Sequence, residues 1–373
     1  MSRIYVHYRL SADAGSIAER AKAIAVEQSV EMPLSAIDDA RVHSDIVGRV
    51  DDIRDLGDGS FAVRIGLATA TTGGEPGQLF NMLFGNTSML DGVEIVDVEL
   101  PAGFAARFGG PNHGLDGLRA RCGATTRAMT CSALKPQGLP PEGLAKLAGR
   151  MAQGGIDFIK DDHGLANQDY SPFARRVAAC AASVRAANAA TGGRTSYLPS
   201  LSGHFEQMRG QIALARNEGV DAVLVAPMVC GVATFHALTR AFPDVAFMTH
   251  PSFGGNARMA PPLLLGKLFR LLGSDATVFP NHGGRFGYTP ATCRELAAAA
   301  RDDWHGLKPC VPVPAGGMTR PRVGEMLDFY GPDTMLLIGG NLLMAREHIT
   351  MEAERFVRAV GDHVFAKDAS DGQ

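Results

Sequence analysis

The sequence has no long hydrophobic run and no excess of charge of either sign. Its first residues, MSRIYVHYRL, alternate polar and apolar side chains and so lack the apolar segment of a secretory signal peptide. No stretch reaches the roughly 20 apolar residues that a membrane-spanning helix needs. The 36 lysines and arginines nearly balance 39 acidic residues. We therefore expect neither nucleic acid nor a membrane as a partner.

Cysteine is also sparse, and two common motifs are missing. The six cysteines are widely separated and form no C-x-x-C pair, a pattern typical of reduced thiols in a cytoplasmic protein. No G-x-G-x-x-G turn follows a predicted strand, which argues against a doubly wound dinucleotide-binding sheet. What the chain does have is 44 glycines, many of them paired just after apolar runs.

The first third of the chain predicts a small α+β unit of ferredoxin-like type, assigned to residues 1–125. Strands are expected at IYVHYRL, 44–52, 60–68 and 93–100, with helices over 16–28 and near 78–90. In the first helix, the helical spacing places four apolar side chains on one face: Ile17, Ala21, Ile24 and Ala25. A loop-rich connector follows.

The remainder, residues 126–373, predicts a (β/α)8 TIM barrel. Short apolar runs such as AMTCSAL, IDFIK, AVLVAP and VAFMTH alternate with amphipathic helices until eight strand–helix pairs are complete. In such barrels the ligand lies at the carboxyl ends of the strands, which is where the candidate functional side chains of this chain fall. That coincidence indicates an enzyme.

Lysine and aspartate side chains follow two of the first predicted barrel strands. Lys160 and Asp162 are two residues apart, so their side chains project the same way if the strand continues. If the Lys160 amine added CO2, its carbamate and Asp162 could hold Mg2+, which would polarise a substrate carbonyl. Lys135 ends the preceding strand and could act as a general base. A plain salt bridge and a solvated lysine are the alternatives that the local sequence leaves open.

Glycine pairs and histidines follow the later strands. Bare backbone N–H groups after the seventh and eighth strands could hold a phosphate group, although each pair alone could be a simple turn; these residues are Gly316, Gly317, Gly339 and Gly340. His250 and His282 could donate hydrogen bonds or carry protons, or could be structural. Arg285 could clamp an anion.

With these residues identified, the chain resembles the RuBisCO superfamily over nearly its whole length. FGGPNHGLDGLRARCG is similar to the connector before the RuBisCO barrel, and GGIDFIKDDH to its carbamylated-lysine signature. TGGRTSYLPSLSGHFEQM and VPVPAGGMTRPRVGEMLDFYGPDTMLLIGGN resemble the next stretch and the phosphate-binding end of the barrel. The motifs occur in the family's order and spacing.

Departures from the family pattern point to its non-carboxylating branch. His163 stands where members use a third metal ligand, normally glutamate, and LKPQG has one lysine, Lys135, where RuBisCO has two in KPKLG. Pro251 replaces the arginine that usually follows the active-site histidine. Arg285 lies in the loop that carries a lysine in RuBisCO, and Ala315 replaces a serine. The chain thus resembles the form IV RuBisCO-like proteins of the non-photosynthetic type.

The resemblance implies an Mg2+-dependent enzyme that removes a proton next to the carbonyl of a phosphorylated ketose. Its metal ligands would be carbamylated Lys160, Asp162 and His163, or His163 would itself transfer protons together with Lys135 and His250. Phosphate and substrate contacts would come from the glycine pairs, His282 and Arg285. Glu27 matches a glutamate that reaches the barrel of a second subunit, which implies a homodimer or a multiple of dimers with shared sites.

The leading hypothesis is an isomerase or enolising enzyme for a substrate such as 5-methylthioribulose 1-phosphate, as in methionine salvage. A second enzymatic alternative is a transcarboxylase or hydrolase that cleaves a phosphorylated 3-oxo sugar acid. The third is a degenerate barrel that binds without catalysis. Retention of Lys160 and Asp162 favours an enzyme, whereas Ala315 and Pro251 favour the degenerate barrel.

Overall fold

The computed structural model describes residues 2–284 and 286–365. The N-terminal sheet contains four antiparallel strands: β1 (Arg3–Ser11), β2 (Arg49–Asp55), β3 (Ser60–Ala68) and β4 (Val93–Glu99). Their spatial order is β2-β3-β1-β4. Helix α1 (Ile17–Glu27) connects β1 to β2, and α2 (Pro76–Phe84) connects β3 to β4. This order and connectivity confirm the predicted ferredoxin-like unit.

Alternation and helical spacing explain most of this unit. Strand β1 buries every second side chain, and α1 buries the four apolar residues that its spacing singled out. The predicted strand over 44–52 is wrong in its first half, since Val42–Ile46 forms a π-helical turn. The cause is tertiary: Gly48 packs so closely on α1 that an added Cβ would lie 2.1 Å from the Ala25 carbonyl oxygen. The chain therefore straightens into β2 only beyond that contact.

Eight parallel strands form the barrel: β5 (Met129–Leu134), β6 (Phe158–Asp161), β7 (Ser196–Leu198), β8 (Ala222–Val225), β9 (Ala246–Thr249), β10 (Ala276–Pro280), β11 (Val311–Ala315) and β12 (Met335–Ile338). Neighbouring strands pair in chain order, and β12 pairs with β5. A bridge between Ser200 and Leu224 closes the ring between β7 and β8. The predicted (β/α)8 barrel is confirmed.

Helical segments follow each barrel strand. They are α4 (Pro141–Gln153), α5 (Phe173–Thr191), α6 (Phe205–Asn217), α7 (Pro227–Cys230), α8 (Val232–Ala241), a π-helical stretch (Pro262–Leu268) continued by α9 (Phe269–Leu271), α10 (Pro290–Arg301), α11 (Val323–Tyr330), α12 (Gly340–Leu343) and α13 (Ile349–Gly361). Among residues 2–284 and 286–365, no helix combines the length and apolarity needed to cross a membrane.

Helix α3 (Gly114–Cys122) lies at the amino-terminal end of the barrel. Its Leu118 belongs to the buried apolar cluster that fills the barrel interior, together with Phe158 and Met248. The Asp275 carboxylate accepts hydrogen bonds from the backbone N–H groups of His113 (2.6 Å) and Gly114 (2.7 Å), which fixes the start of α3. The carboxyl end therefore remains as the open face. The division at residue 125 stays a prediction, since α3 precedes it but packs into the barrel.

Candidate active site

Strand β6 and the residue that follows it place two functional side chains toward the barrel mouth and one away from it. Lys160 (3% exposed) and Asp162 (6%) lie on one side, because side chains alternate along a strand. Asp161, fully buried, takes the other side and contacts Arg176 of α5. The predicted common direction of Lys160 and Asp162 thus agrees with the strand's geometry.

Asp161 belongs to a buried scaffold beneath the site. Its carboxylate accepts hydrogen bonds from Arg176 Nε (3.0 Å), the Tyr197 hydroxyl (2.8 Å) and the Ser200 backbone N–H (3.0 Å). Both members of the Asp161–Arg176 ion pair are fully buried. This scaffold links β6, α5 and the end of β7, and it fixes the backbone that carries Lys160 and Asp162.

Asp162 is the anion at which the cationic side chains meet. Lys135, at the end of β5, forms an ion pair with Asp162 Oδ1, and His163 Nδ1 lies 3.4 Å from the same oxygen. Burial alone would raise the pKa of Asp162, but the hydrogen bonds from His163 and Lys135 and the positive charges of Lys135 and Lys160 hold it well below its usual range. The salt bridge that the sequence left open is therefore made by Lys135, whereas the Lys160 amine donates to the Asp161 carbonyl oxygen (3.1 Å).

His163 and His250 stack across the mouth of the barrel. Their ring centroids are 4.1 Å apart and their planes differ by 9°. The Ser252 backbone N–H donates to His250 Nδ1 (3.2 Å). Because a backbone N–H can only donate, Nδ1 is an acceptor and the neutral ring carries its proton on Nε2. His250 thus offers an N–H donor beside Lys160 and His163.

The neutral state of His250 predicts a pH dependence of stability. Burial, reinforced by the positive charge of Lys160, lowers the pKa of His250 to about 2. In the unfolded chain a histidine takes up its proton near pH 6.5, so folding becomes less favourable as the pH falls below that value. When the pH is lowered from about 7.5 to 5.5, we expect the free energy of unfolding to fall by about 1 kcal/mol more in the wild type than in His250→Asn. Urea titrations at both pH values test this. The exposed-site variant His348→Asn should follow the wild type, and equal losses in all three proteins would contradict the prediction.

The glycine pairs predicted to bind phosphate lie beyond β11 and β12, as expected. Added Cβ atoms at Gly316, Gly339 and Gly340 would have no neighbour within 4 Å, so space is open above them. Gly317, with φ of 70°, packs against the loop after β10, where its Cβ would lie 3.1 Å from the Gly284 Cα. The loops after β10 and β11 therefore present their backbones at one side of the mouth.

Arg322 joins these loops, and its role was not predicted from the sequence. Its guanidinium donates to the carbonyl oxygens of Gly317 (3.3 Å) and His282 (3.3 Å), and it pairs with Glu325 (3.1 Å). Nothing in the motif TRPR distinguishes it from Arg320, because its role depends on the distant loop after β10. The buried His282 Nε2 has no hydrogen-bond partner among the described residues, which leaves it available to a ligand.

Two predicted residues, Glu27 and Arg285, are still to be accounted for. Arg285 lies outside the described residues. Glu27, at the end of α1, accepts a hydrogen bond from Asn86 Nδ2 (2.9 Å), and Asn86 also donates to Glu31 (3.1 Å). Within the described part of one chain, no recorded contact joins Glu27 to the barrel cluster. Its role in a partner's site stays a prediction.

The residues fit a magnesium ion only in one chemical form. Across the described ranges, no three His, Cys, Asp or Glu side chains are arranged to hold a metal. Asp162 offers an oxygen ligand and His163 a nitrogen, while Lys160 contributes a ligand only as a carbamate. Burial lowers the pKa of Lys160, which favours the neutral amine that can add CO2. The donor set is thus compatible with Mg2+ once Lys160 is carbamylated.

Comparisons with known proteins agree with this geometry. Residues 114–277 match the family of the ribulose bisphosphate carboxylase large chain, catalytic domain. The chain is 58% identical to 5-methylthioribulose-1-phosphate isomerase of Rhodospirillum rubrum, with 96% of each chain covered. It is 28% identical to 2,3-diketo-5-methylthiopentyl-1-phosphate enolase of Geobacillus kaustophilus, over 92% of this chain and 88% of that one. A crystal structure of a Rubisco-like protein from Rhodopseudomonas palustris shares 52% identity and a TM-score of 0.92, over 98% of this chain and 100% of that one. The chain belongs to the RuBisCO large-chain family, within its RuBisCO-like proteins.

Proposed function

We propose that this protein is a non-carboxylating isomerase that transfers a proton between adjacent carbon atoms of 5-methylthioribulose 1-phosphate. The observation that supports this proposal most directly is the cluster of Lys135, Lys160 and Asp162 beside the stacked rings of His163 and His250. Cations, a carboxylate and two imidazoles at a barrel mouth suit proton transfer next to a carbonyl. The extensive identity to an isomerase of this substrate supports the same reaction here.

Lys135 is the proposed base. Its side chain is about a third exposed and reaches Asp162 from the neighbouring strand, so it lies at the mouth rather than in the barrel interior. To accept a proton from carbon, its ammonium group must first give up a proton to solvent and leave the ion pair with Asp162. His163 is slightly more exposed and lies 3.4 Å from the same carboxylate oxygen, and we propose that it returns a proton to the former carbonyl carbon. His250 would donate Nε2–H to a substrate oxygen.

The remaining groups bind and orient the substrate. The open backbone N–H groups after β11 and β12 would hold its phosphate, with His282 Nε2 as a further donor. With His163 as the proton carrier, Mg2+ held by carbamylated Lys160 and Asp162 would supply Lewis-acid polarisation of the carbonyl. We also propose a homodimer in which Glu27 contributes to the partner's site.

The test is turnover of the proposed substrate. The protein is incubated with Mg2+, bicarbonate and 5-methylthioribulose 1-phosphate, and the products are followed by phosphorus NMR in H2O and D2O. We expect a new phosphate ester of equal mass and, in D2O, one deuterium at the carbon that receives the proton. Ribulose 1,5-bisphosphate with labelled CO2 serves as a control and should fix no label. Failure both to convert the substrate and to exchange its protons would refute the proposal.

A further inference from the structure

A tight turn beyond β9 places an aromatic residue where glycine is normally required. The Gly254 N–H donates to the Pro251 carbonyl oxygen (2.9 Å), which closes a four-residue turn. Its third residue is Phe253, with φ of 67° and ψ of −4°. These angles are those of the third position of a type II turn, where a side chain is disfavoured because its Cβ is crowded. The chain has glycines at the next two positions but not here.

Packing within the chain does not explain this strain. Phe253 is 66% exposed, among the more exposed large apolar residues of the described chain. The base of the turn is well held, since an added Cβ at Gly254 would touch Leu264 at 3.4 Å and Ser252 bonds to His250. The backbone is thus fixed, while the ring projects largely unburied. Strained residues of this kind concentrate where a ligand is bound.

The position of the turn indicates which part of a ligand it would meet. The loops after β10, β11 and β12 carry His282 and the glycine pairs, and β5 and β6 carry the lysines. The sector of the mouth beyond β7, β8 and β9 is left for the end of the substrate away from its phosphate. There Val229 (67% exposed) and Phe253 are apolar, and the segment HPSFGGN has no lysine or arginine to bind a second phosphate.

We propose that the ring of Phe253 binds the apolar, sulfur-containing end of the substrate distal to its phosphate. A thioether has a favourable contact with an aromatic ring, and covering the ring removes apolar surface from water. The assignment rests on the proposed function for the identity of the substrate. It adds that selection of a methylthio group over a smaller end depends on this one residue.

The test compares two ligands and two variants. The ligands are 5-methylthioribulose 1-phosphate and 5-deoxyribulose 1-phosphate, which lacks the methylthio group. For Phe253→Gly we expect KM for the first ligand to rise about fivefold, with kcat within about twofold and KM for the second unchanged. Phe253→Leu should restore part of the preference. Because glycine removes the strain, the melting temperature of Phe253→Gly should stay equal or rise, which loss of a structural residue would not produce.

Calorimetric titration of both ligands separates this inference from the proposed isomerase activity. If the wild type turns over neither ligand, the proposed activity fails, but a binding preference for the methylthio compound that Phe253→Gly abolishes still supports the inference. An equal change for both ligands, or no change, would overturn it. So would light scattering that shows a dissociated oligomer in Phe253→Gly with ligand preference intact, because the ring would then be a subunit contact. Met344→Ala, at an exposed apolar residue beyond the glycine pair after β12, is the matched control and should keep the preference.

Discussion

Lys160→Met should lower kcat for the proposed isomerisation by on the order of 10³ while the protein stays folded. Methionine has nearly the length of lysine and suits a site that is 3% exposed. It lacks the amine that could add CO2 or carry charge, so Asp162 is left without the carbamate ligand beside it. The measurement is kcat under saturating Mg2+ and bicarbonate, with circular dichroism and thermal melting as checks on folding.

The control for this variant is Lys146→Met, which replaces an exposed lysine of α4 and should keep wild-type kcat. A second comparison removes bicarbonate from the wild type, which should lose activity reversibly if the carbamate is required. If Lys160→Met keeps a tenth or more of wild-type kcat, the assignment of Lys160 to the metal site is wrong. Carbon NMR with labelled bicarbonate should show a carbamate signal in the wild type and none in the variant.

Arg176→Met should lower the free energy of unfolding by about 3–5 kcal/mol. Arg176 is fully buried and donates to Asp161 (3.0 Å) and to the carbonyl oxygens of Ser171 (2.7 Å) and Ala166 (2.7 Å). Without it, Asp161 is left as a buried carboxylate with no cation, and two carbonyl oxygens lose their donors. Urea denaturation of the wild type and the variant gives the difference directly.

The neighbouring residue provides the control. Arg175 is 68% exposed and pairs with Glu142 at the surface, so Arg175→Met should cost less than about 1 kcal/mol. The double variant Arg176→Met/Asp161→Asn should recover part of the loss, because it removes the uncompensated charge. Equal destabilisation by Arg175→Met and Arg176→Met would contradict the scaffold role given to the buried pair.

Features that depend on neighbouring residues in the chain could be predicted from the sequence. The apolar face of α1 and the eight strand–helix pairs are local periodicities, and both are present in the structure. Lys135, Lys160 and His250 could be placed at one face because parallel strands share their carboxyl ends. Their approach to one another follows from barrel closure, which the same periodicity implies.

Features that depend on contacts between distant segments could not. Arg322 acts through the loop containing His282, 40 residues earlier, and its own motif has no distinguishing signal. The stacking of His163 on His250 requires the register of β6 relative to β9. The strain at Phe253 depends on a backbone angle. From the sequence HPSFGG alone, the strained position could as well be one of the two glycines that follow Phe253. Gly48 altered the start of β2 through its contact with α1 in the same way.

Helix α3, at the amino-terminal end of the barrel, helps to shield the barrel interior from solvent, and it precedes the first barrel strand in the chain. Leu118 of α3 shares the interior cluster with side chains from the barrel strands, and Asp275 of the later chain anchors its start. The family match likewise begins at residue 114. Helix α3 thus helps to exclude water from the barrel interior, although it precedes every barrel strand in the chain. The shielded interior therefore includes α3, even though the alternating strand–helix pattern starts after it.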